Sequence, residues 1–326
     1  MTYYLVTGAL GFIGSNFVNY MASKYENDTF IILDKKDYCA HFDNVNPANN
    51  VEIVIGDIAN VELVNYLLNK YKINIVVHFA AQTHVDNSFS NSVVFTHNNV
   101  VGTHCLLECC RVYHEEHNYL QKFIHVSTDE VYGEVNDGNI KKETSILNPS
   151  NPYAASKAAA EFMVKSYYYS YKLPIIITRG NNVYGINQYP EKVIPKFIYQ
   201  LLDGKKLTIQ GEGDNKRNFI HVDDVVSAFE TIINKGIIGE IYNIAGDENS
   251  EISVRDLAIL LLHIHDPTAH IIDHVKYVKD RKFNDCRYYI CNQKLLALGW
   301  SQQHTDFRNE LSKLFIWYEE NRARYY

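Results

Sequence analysis

No stretch of this sequence approaches the ~20 consecutive apolar residues of a membrane-spanning helix, which argues against a helical membrane protein. Nor is there a block of lysine and arginine. The formal net charge is -7, and nucleic-acid binding needs a positive face, so nucleic acid is not an expected partner. A local basic pocket for a small phosphorylated molecule stays open, because net charge describes the whole surface and not its clefts. The six cysteines, Cys39, Cys105, Cys109, Cys110, Cys286 and Cys291, contain no Cys-x-x-Cys pair. That favours reduced thiols in a cytoplasmic protein over disulfides. His263, His265, His270 and His274 surround a turn at Pro267 without nearby cysteines or paired carboxylates, so they are read as surface residues and no metal is expected. Met1-Thr2-Tyr3-Tyr4 runs straight into a strand with no basic segment and no cleavage site, so no signal peptide is expected. Internal repeats and low-complexity tracts are lacking too.

What is present is apolar material in a regular rhythm. Hydrophobic residues make up 46% of 326, enough for a sizeable core. Strands are expected at 3–7, 30–34, 51–55, 75–79, 123–127 and 175–179, and helices at 12–25, 61–71, 92–117 and 153–171. The strands are short, apolar and β-branched on both faces, as in a parallel sheet covered by helices. The expected fold is therefore α/β, a doubly wound parallel (Rossmann) sheet with a smaller mixed α/β lobe. Residues 1–181 form the sheet domain, rejoined by about 218–245, where Phe219-Ile220-His221 and the helix from Val222 to Asn234 return to the large sheet. Residues 182–217 and 246–326 form the substrate lobe.

Gly8-x-x-Gly11-x-x-Gly14 sits between the first strand and the first helix. Missing side chains let the chain turn and let backbone N–H groups reach a pyrophosphate at a helix N-terminus. Asp34 ends the second strand, where a carboxylate accepts from ribose hydroxyls of NAD and repels the 2′-phosphate of NADP. Asp57 and Ile58 follow the third strand and reach toward the adenine.

Tyr153-x-x-x-Lys157 places a phenol and an ammonium one turn apart on a helix face. The lysine and a positive nicotinamide are expected to lower the phenol's pKa, so that it takes a proton from a sugar hydroxyl. Ser127 adds a third hydrogen-bonding group, with Thr128 as the alternative. Asp129 and Glu130 follow the fifth strand at its carboxyl end, where open α/β sheets bind ligands. Two carboxylates this close should separate in pKa, one remaining an acid and the other a base. An alcohol-oxidising pair beside an acid–base pair points to a dehydratase working through a transient oxidation.

The run Ser127-Thr128-Asp129-Glu130-Val131-Tyr132-Gly133 joins Thr7 to Ser15, His78 to Asp86, Asn151 to Lys157, Pro190 to Pro195 and Arg281 to Tyr288. Together these resemble the nucleotide-sugar 4,6-dehydratases of the extended short-chain dehydrogenase/reductase family, nearly end to end. The resemblance implies NAD as cofactor, held by Gly8, Gly11, Phe12, Ile13, Gly14, Asp34, Lys35, Asp57, Ile58, Ala80, Ala81, Asn98, Ser127, Tyr153 and Lys157. It implies Asp129 as proton donor to the C6 oxygen, Glu130 as base at C5 and Tyr153 as base at the 4-hydroxyl. Thr128 would hydrogen-bond that hydroxyl and Lys157 would hold the nicotinamide ribose. Substrate contacts are implied for Thr83, His84, Thr128, Asn182, Lys192, Val193, Arg217, Asn243, Arg281 and Asn284.

Two departures from the family pattern stand out: Ala9-Leu10 inside the glycine loop, and Asn98 where bacterial thymidine-linked enzymes usually carry threonine. The stretches 178–192 and 283–288 are more similar to eukaryotic-type enzymes, which favours UDP-glucose, and rhamnose synthesis, over dTDP-glucose. A 4-epimerase or decarboxylase on the same fold, and a non-catalytic dinucleotide-binding scaffold, are the competing readings. Tyrosine-rich helices at 92–117 and 153–171 imply a homodimer. Later epimerisation and reduction are expected in a separate protein.

Overall fold

Apart from the link between the second and third strands, which holds only a short 3-10 turn, each aliphatic strand of the first half is followed by a helix that carries the chain back to the same end of the sheet, and so the strands pair in parallel. A computed structural model describes residues 1–135, 139–247 and 250–325. Its first elements are β1 (Tyr3–Thr7), α1 (Phe12–Lys24), β2 (Thr29–Asp34), β3 (Val51–Ile55), α2 (Val61–Tyr71), β4 (Ile75–His78), α3 (Val85–Ser90), α4 (Ser92–Phe95), α5 (Gly102–His117), β5 (Lys122–Thr128), α6 (Pro152–Tyr171) and β6 (Ile175–Gly180). There follow β7 (Asn182–Tyr184), α7 (Val193–Leu202), β8 (Leu207–Gln210), β9 (Lys216–His221), α8 (Val222–Lys235), β10 (Ile241–Ile244), β11 (Glu251–Ser253), α9 (Val254–His265), α10 (Ile271–His274), β12 (Val275–Val278), α11 (Gln293–Leu296) and α12 (Phe307–Glu320).

The main sheet has seven strands in the order β10-β6-β5-β4-β1-β2-β3, every pair parallel. Strand order reverses between β1 and β4, and a crevice opens there at the carboxyl ends of the strands. Helices α1 and α8 pack together over one face, around Phe17, Phe30 and Phe229. Helices α2, α5 and α6 cover the other, around Leu67, Leu107 and Tyr167. A third core, with Phe197, Leu261 and Leu314, lies among α7, α9 and α12. Two small sheets accompany it, β11-β9-β7 and β12-β8.

Three elements depart from the sequence expectation. Residues 92–117 are not one regular α-helix: Thr96–Val101 is π-helical between α4 and α5. Within this widened turn the buried Asn99 amide accepts from Gln82 N at 2.7 Å and donates to Gln82 O at 3.0 Å and Ser156 Oγ at 2.9 Å. Such bulges concentrate at functional sites. Secondly, Phe219-Ile220-His221 does not rejoin the large sheet. It belongs to β9, whose two edges are taken by β7 and β11, and the strand that returns beside β6 is β10. Thirdly, β3 is not apolar and covered on both faces. It is the sheet's edge, and Glu52, Ile53 and Ile55 are exposed.

The six cysteines are all free thiols. Among the described residues no helix is long and apolar enough to cross a membrane.

Candidate active site

The crevice depends on one backbone approach. Gly8 has φ +74°, and a Cβ there would lie 2.6 Å from the Ala80 Cα. Only glycine therefore lets the end of β1 close against the end of β4. Gly11 then caps α1, whose first N–H groups face the cleft. A cavity of about 310 Å³ runs along this line. Asp34, Lys35, Asp57 and Ile58 line it at one end, then Gly8, Gly11, Phe12, Ile13 and Gly14, then Ala80, Ala81 and Asn98, and finally Ser127, Thr128, Tyr153 and Lys157. All the residues named for the cofactor thus line one cavity.

Asp34 accepts from Leu10 N at 3.0 Å and Lys36 N at 2.8 Å. Burial raises its pKa and these two bonds oppose the rise. Lys35 donates to the Asn98 side chain. At the inner end the Ser127 hydroxyl is buried with no partner among the described residues. A hydroxyl so placed is available to a polar group of a ligand in the cleft. An acid at the ribose end, a helix N-terminus midway and an orphan hydroxyl at the far end fit a dinucleotide.

Beyond β5 the chain makes a single 3-10 turn over Asp129–Tyr132, capped by Thr128, whose hydroxyl accepts from Glu130 N at 3.3 Å. Gly133 ends the turn at φ +71°, with the Asn148 carbonyl 2.1 Å from where a Cβ would stand. The Asp129 carboxyl is 2% exposed. It accepts from Asn181 Nδ2 at 2.7 Å and Thr128 Oγ1 at 3.2 Å. Burial first, and the Glu130 charge second, push its pKa up to about 7. Glu130 accepts from Asn151 Nδ2 at 3.0 Å. Burial raises its pKa too, opposed by Asn151 and then by the charges of Arg217 and Lys192. Burial thus raises both carboxyls, and the Glu130 charge adds to the rise at Asp129.

Tyr153 stands in the first turn of α6, which Asn151 caps by accepting from Ala154 N at 2.9 Å, with Pro152 leading. The expected lowering of its pKa is not what these residues produce. Burial raises it, the Glu130 charge adds to the rise, Thr128 opposes it and the Asp129 charge adds again. The Lys157 ammonium donates instead to Val126 O at 2.7 Å, and burial lowers its pKa to about 8. Behind both, the buried Arg179 and Glu161 form an ion pair at 2.6 Å that ties β6 to α6.

A second cavity, about 180 Å³, adjoins the first and shares Glu130, Asn182 and Lys192 with it. His84, Val193, Arg217, Arg281 and Asn284 also line it. Thr83 lines the first cavity, and its carbonyl accepts from Lys192 Nζ at 2.8 Å. Arg217 donates to Asn284 Oδ1 at 3.3 Å and lies over the Tyr288 ring at 4.7 Å. Asn243 is the residue not brought to the site. Fully buried in β10, it accepts from Tyr132 Oη at 2.8 Å and donates to Cys291 O at 3.0 Å, and it lines neither cavity. Its amide is committed to the network around Arg179. Asn151 and Asn181 were missed by sequence reasoning. The Asn-Pro start of a helix was a signal for Asn151; Asn181 carried none beyond following a strand.

Fold and site together define a Rossmann-type enzyme that pairs a dinucleotide cleft with an acid–base couple. The GDP-mannose 4,6 dehydratase family profile matches residues 5–313, and the chain belongs to that family. A dTDP-D-glucose 4,6-dehydratase of Dictyostelium discoideum is 46% identical over 98% of this chain and 82% of its own length. The trifunctional UDP-glucose 4,6-dehydratase/epimerase/reductase of Arabidopsis thaliana is 48% identical over 97% of this chain, which spans 47% of that protein. A dTDP-glucose 4,6-dehydratase from Streptomyces venezuelae, solved with NAD bound, superposes with a TM-score of 0.92 at 38% identity, covering 99% of both chains.

Proposed function

We propose that this chain catalyses the NAD-dependent 4,6-dehydration of a nucleoside-diphosphate glucose to the 4-keto-6-deoxy sugar. UDP-glucose is the favoured substrate and dTDP-glucose the alternative. The observation that carries the reading is the Asp129–Glu130 couple, Asp129 buried and Glu130 half-buried, set in the turn directly after β5 beside Tyr153. A 4-epimerase or decarboxylase needs the Tyr/Lys pair but not this couple.

NAD, when bound, supplies the hydride acceptor at C4 and the hydride donor at C6, and its positive ring charge favours the Tyr153 phenolate. Tyr153 takes the proton of the 4-hydroxyl while Thr128 hydrogen-bonds that oxygen. The resulting 4-ketone acidifies C5–H, which Glu130 removes. Asp129, protonated near neutral pH, gives its proton to the C6 hydroxyl, which leaves as water. Glu130 then returns a proton to C5. Asp34 selects NAD over NADP, and the Asn99–Ser156 contacts brace the turn that carries Tyr153. Lys192, Arg217 and Arg281 supply positive charge for a diphosphate.

The favoured nucleotide rests on the stretches 178–192 and 283–288. UDP and dTDP differ by a methyl and a hydroxyl, a difference worth about 1–3 kcal/mol in a pocket. Purified chain is incubated separately with UDP-glucose and dTDP-glucose, each deuterated at C4, and the products are read by NMR. Deuterium in the new 6-methyl group is the expected result. A product lacking it, or a 4-epimer, refutes the reading.

The same reading assigns the sheet domain, 1–181 and about 218–245, to NAD, and 182–217 with 246–326 to the nucleotide sugar. It places the enzyme in the cytoplasm as a homodimer. Val93, Val94, Phe162 and Tyr169, exposed on the helical runs 92–117 and 152–171, form the dimer face. A separate epimerase/reductase is the proposed consumer of the keto product.

A further inference from the structure

We propose that Arg179 and Tyr132 are positioning residues for the elimination step of the dehydration proposed above, on which the assignment rests. One buried guanidinium fixes the turn that carries Asp129 and Glu130 to the helix that carries Tyr153 and Lys157. Neither Arg179 nor Tyr132 lines either cavity, and neither do their partners Glu161 and Asn243. Their effect on the reaction therefore passes through other residues.

The need for such a tie comes from the sugar. Tyr153 works at C4, while Glu130 and Asp129 work at C5 and C6. These carbons are bonded in a row, yet the residues belong to different elements, the 3-10 turn after β5 and the first turns of α6. A misplacement of about 1 Å between reacting groups costs about a hundredfold in rate. The placement of the turn relative to α6 is thus a quantity the fold has to hold.

Arg179 is buried in β6, and its fork is divided between the two. Toward α6, Nε donates to Glu161 Oε1 at 3.0 Å and Nη2 donates to Glu161 Oε2 at 2.6 Å. Toward the turn, Nη1 donates to Tyr132 Oη at 2.7 Å and to Glu143 O at 3.2 Å. Glu161 stands one helical turn beyond Lys157 and two beyond Tyr153 on α6. Tyr132 is the last residue of the turn that Asp129 begins. A planar guanidinium bonds in fixed directions, so it sets distance and angle together, which a lysine ammonium does not.

The Tyr132 hydroxyl is oriented to receive it. Asn243 Nδ2 donates to Cys291 O at 3.0 Å and to Lys141 O at 3.4 Å, which turns its Oδ1 toward Tyr132. Tyr132 Oη donates to that oxygen at 2.8 Å and keeps a lone pair for Arg179. Its ring packs with Ala158 of α6, the residue next to Lys157. On the opposite side the turn is held by Asn181, whose amide donates to Asp129 Oδ2 at 2.7 Å. Loss of the Tyr132 hydroxyl releases one side of the turn and leaves α6 tied to β6 through Glu161. Elimination then suffers and oxidation does not.

The test mixes the NAD-loaded full chain, in excess, with UDP-glucose and separately with dTDP-glucose in a stopped-flow cell. NADH absorbance reports its formation by oxidation at C4 and its consumption by hydride return to C6. Tyr132→Phe is expected to form NADH within about twofold of the parent rate and to consume it about tenfold to a hundredfold more slowly, so that NADH accumulates. Asn243→Ala, which removes the acceptor that orients the hydroxyl, shows the same imbalance to a smaller extent. Equal slowing of formation and consumption in Tyr132→Phe identifies a merely structural role and overturns the proposal. So does a parent-like trace in both variants. If Tyr132→Phe fails to fold, Asn243→Ala decides: accumulated NADH supports the proposal and its absence overturns it. A parent that makes no 4-keto-6-deoxy sugar overturns the dehydratase reading and the proposal with it. A parent that makes it, beside an unchanged Tyr132→Phe, overturns the proposal alone.

Discussion

Replacing Asp129 by Asn should make this protein more stable at the same time as it makes the enzyme slow. The side chain is 2% exposed, and burial with the Glu130 charge raises its pKa from 3.8 to about 7. A carboxyl that binds its proton more tightly folded than unfolded lowers stability as pH rises through that window. The loss begins near the unfolded value, grows up to about pH 7 and is constant above it. At about 1.4 kcal/mol for each tenfold change in proton affinity, it reaches roughly 4 kcal/mol at alkaline pH. Asparagine has nearly the same shape, keeps an oxygen for Asn181 and does not titrate in this range. Urea unfolding of both proteins at pH 5 and pH 8, at one fixed NAD concentration because ligand adds its own stabilisation, gives the comparison. The advantage of Asp129→Asn should widen by about 2–3 kcal/mol between the two pH values. Turnover should fall by ~10²–10⁴, the usual contribution of a general acid. Parallel stability curves for the two proteins would refute the claim that Asp129 enters the reaction protonated.

Three further changes probe the surrounding shell. Asn151→Ala removes the cap of α6 and the bond to Glu130 Oε2; it should cost about 1 kcal/mol of stability in urea, and the acidic limb of the kcat–pH profile should move to higher pH because the bond that lowered the Glu130 pKa is gone. Asp34→Ser should shift the ratio of NAD to NADP dissociation constants toward NADP by about tenfold or more, as read by fluorescence titration, since a charge-assisted acceptor is worth ~1.5–3 kcal/mol. Arg179→Met strands the buried Glu161 carboxylate, and denaturant unfolding should report a loss of about 3–5 kcal/mol.

The sheet was legible in the sequence because its strands and helices are local objects. Apolar runs at 75–79 and 175–179 read as covered strands, and Gly8, Gly11 and Gly14 between a strand and a helix read as a turn suited to a pyrophosphate. Tyr153, Lys157, Asp129 and Glu130 were legible for a related reason: their spacing within one turn already fixes their proximity. Position across the fold was not legible. Asn243 reads as a substrate contact, yet the pairing of β10 with β6 buries its amide among Tyr132, Lys141 and Cys291. Phe219 to His221 reads as a return to the large sheet, yet β7 and β11 claim both edges of that strand. The π-helical turn at Thr96–Val101 follows from one buried asparagine meeting the Gln82 backbone, a contact between distant segments. Protonation states were decided at the same level, for the charge a carboxyl or phenol can carry depends on the water removed around it, and that is a property of the assembled packing rather than of neighbours along the chain.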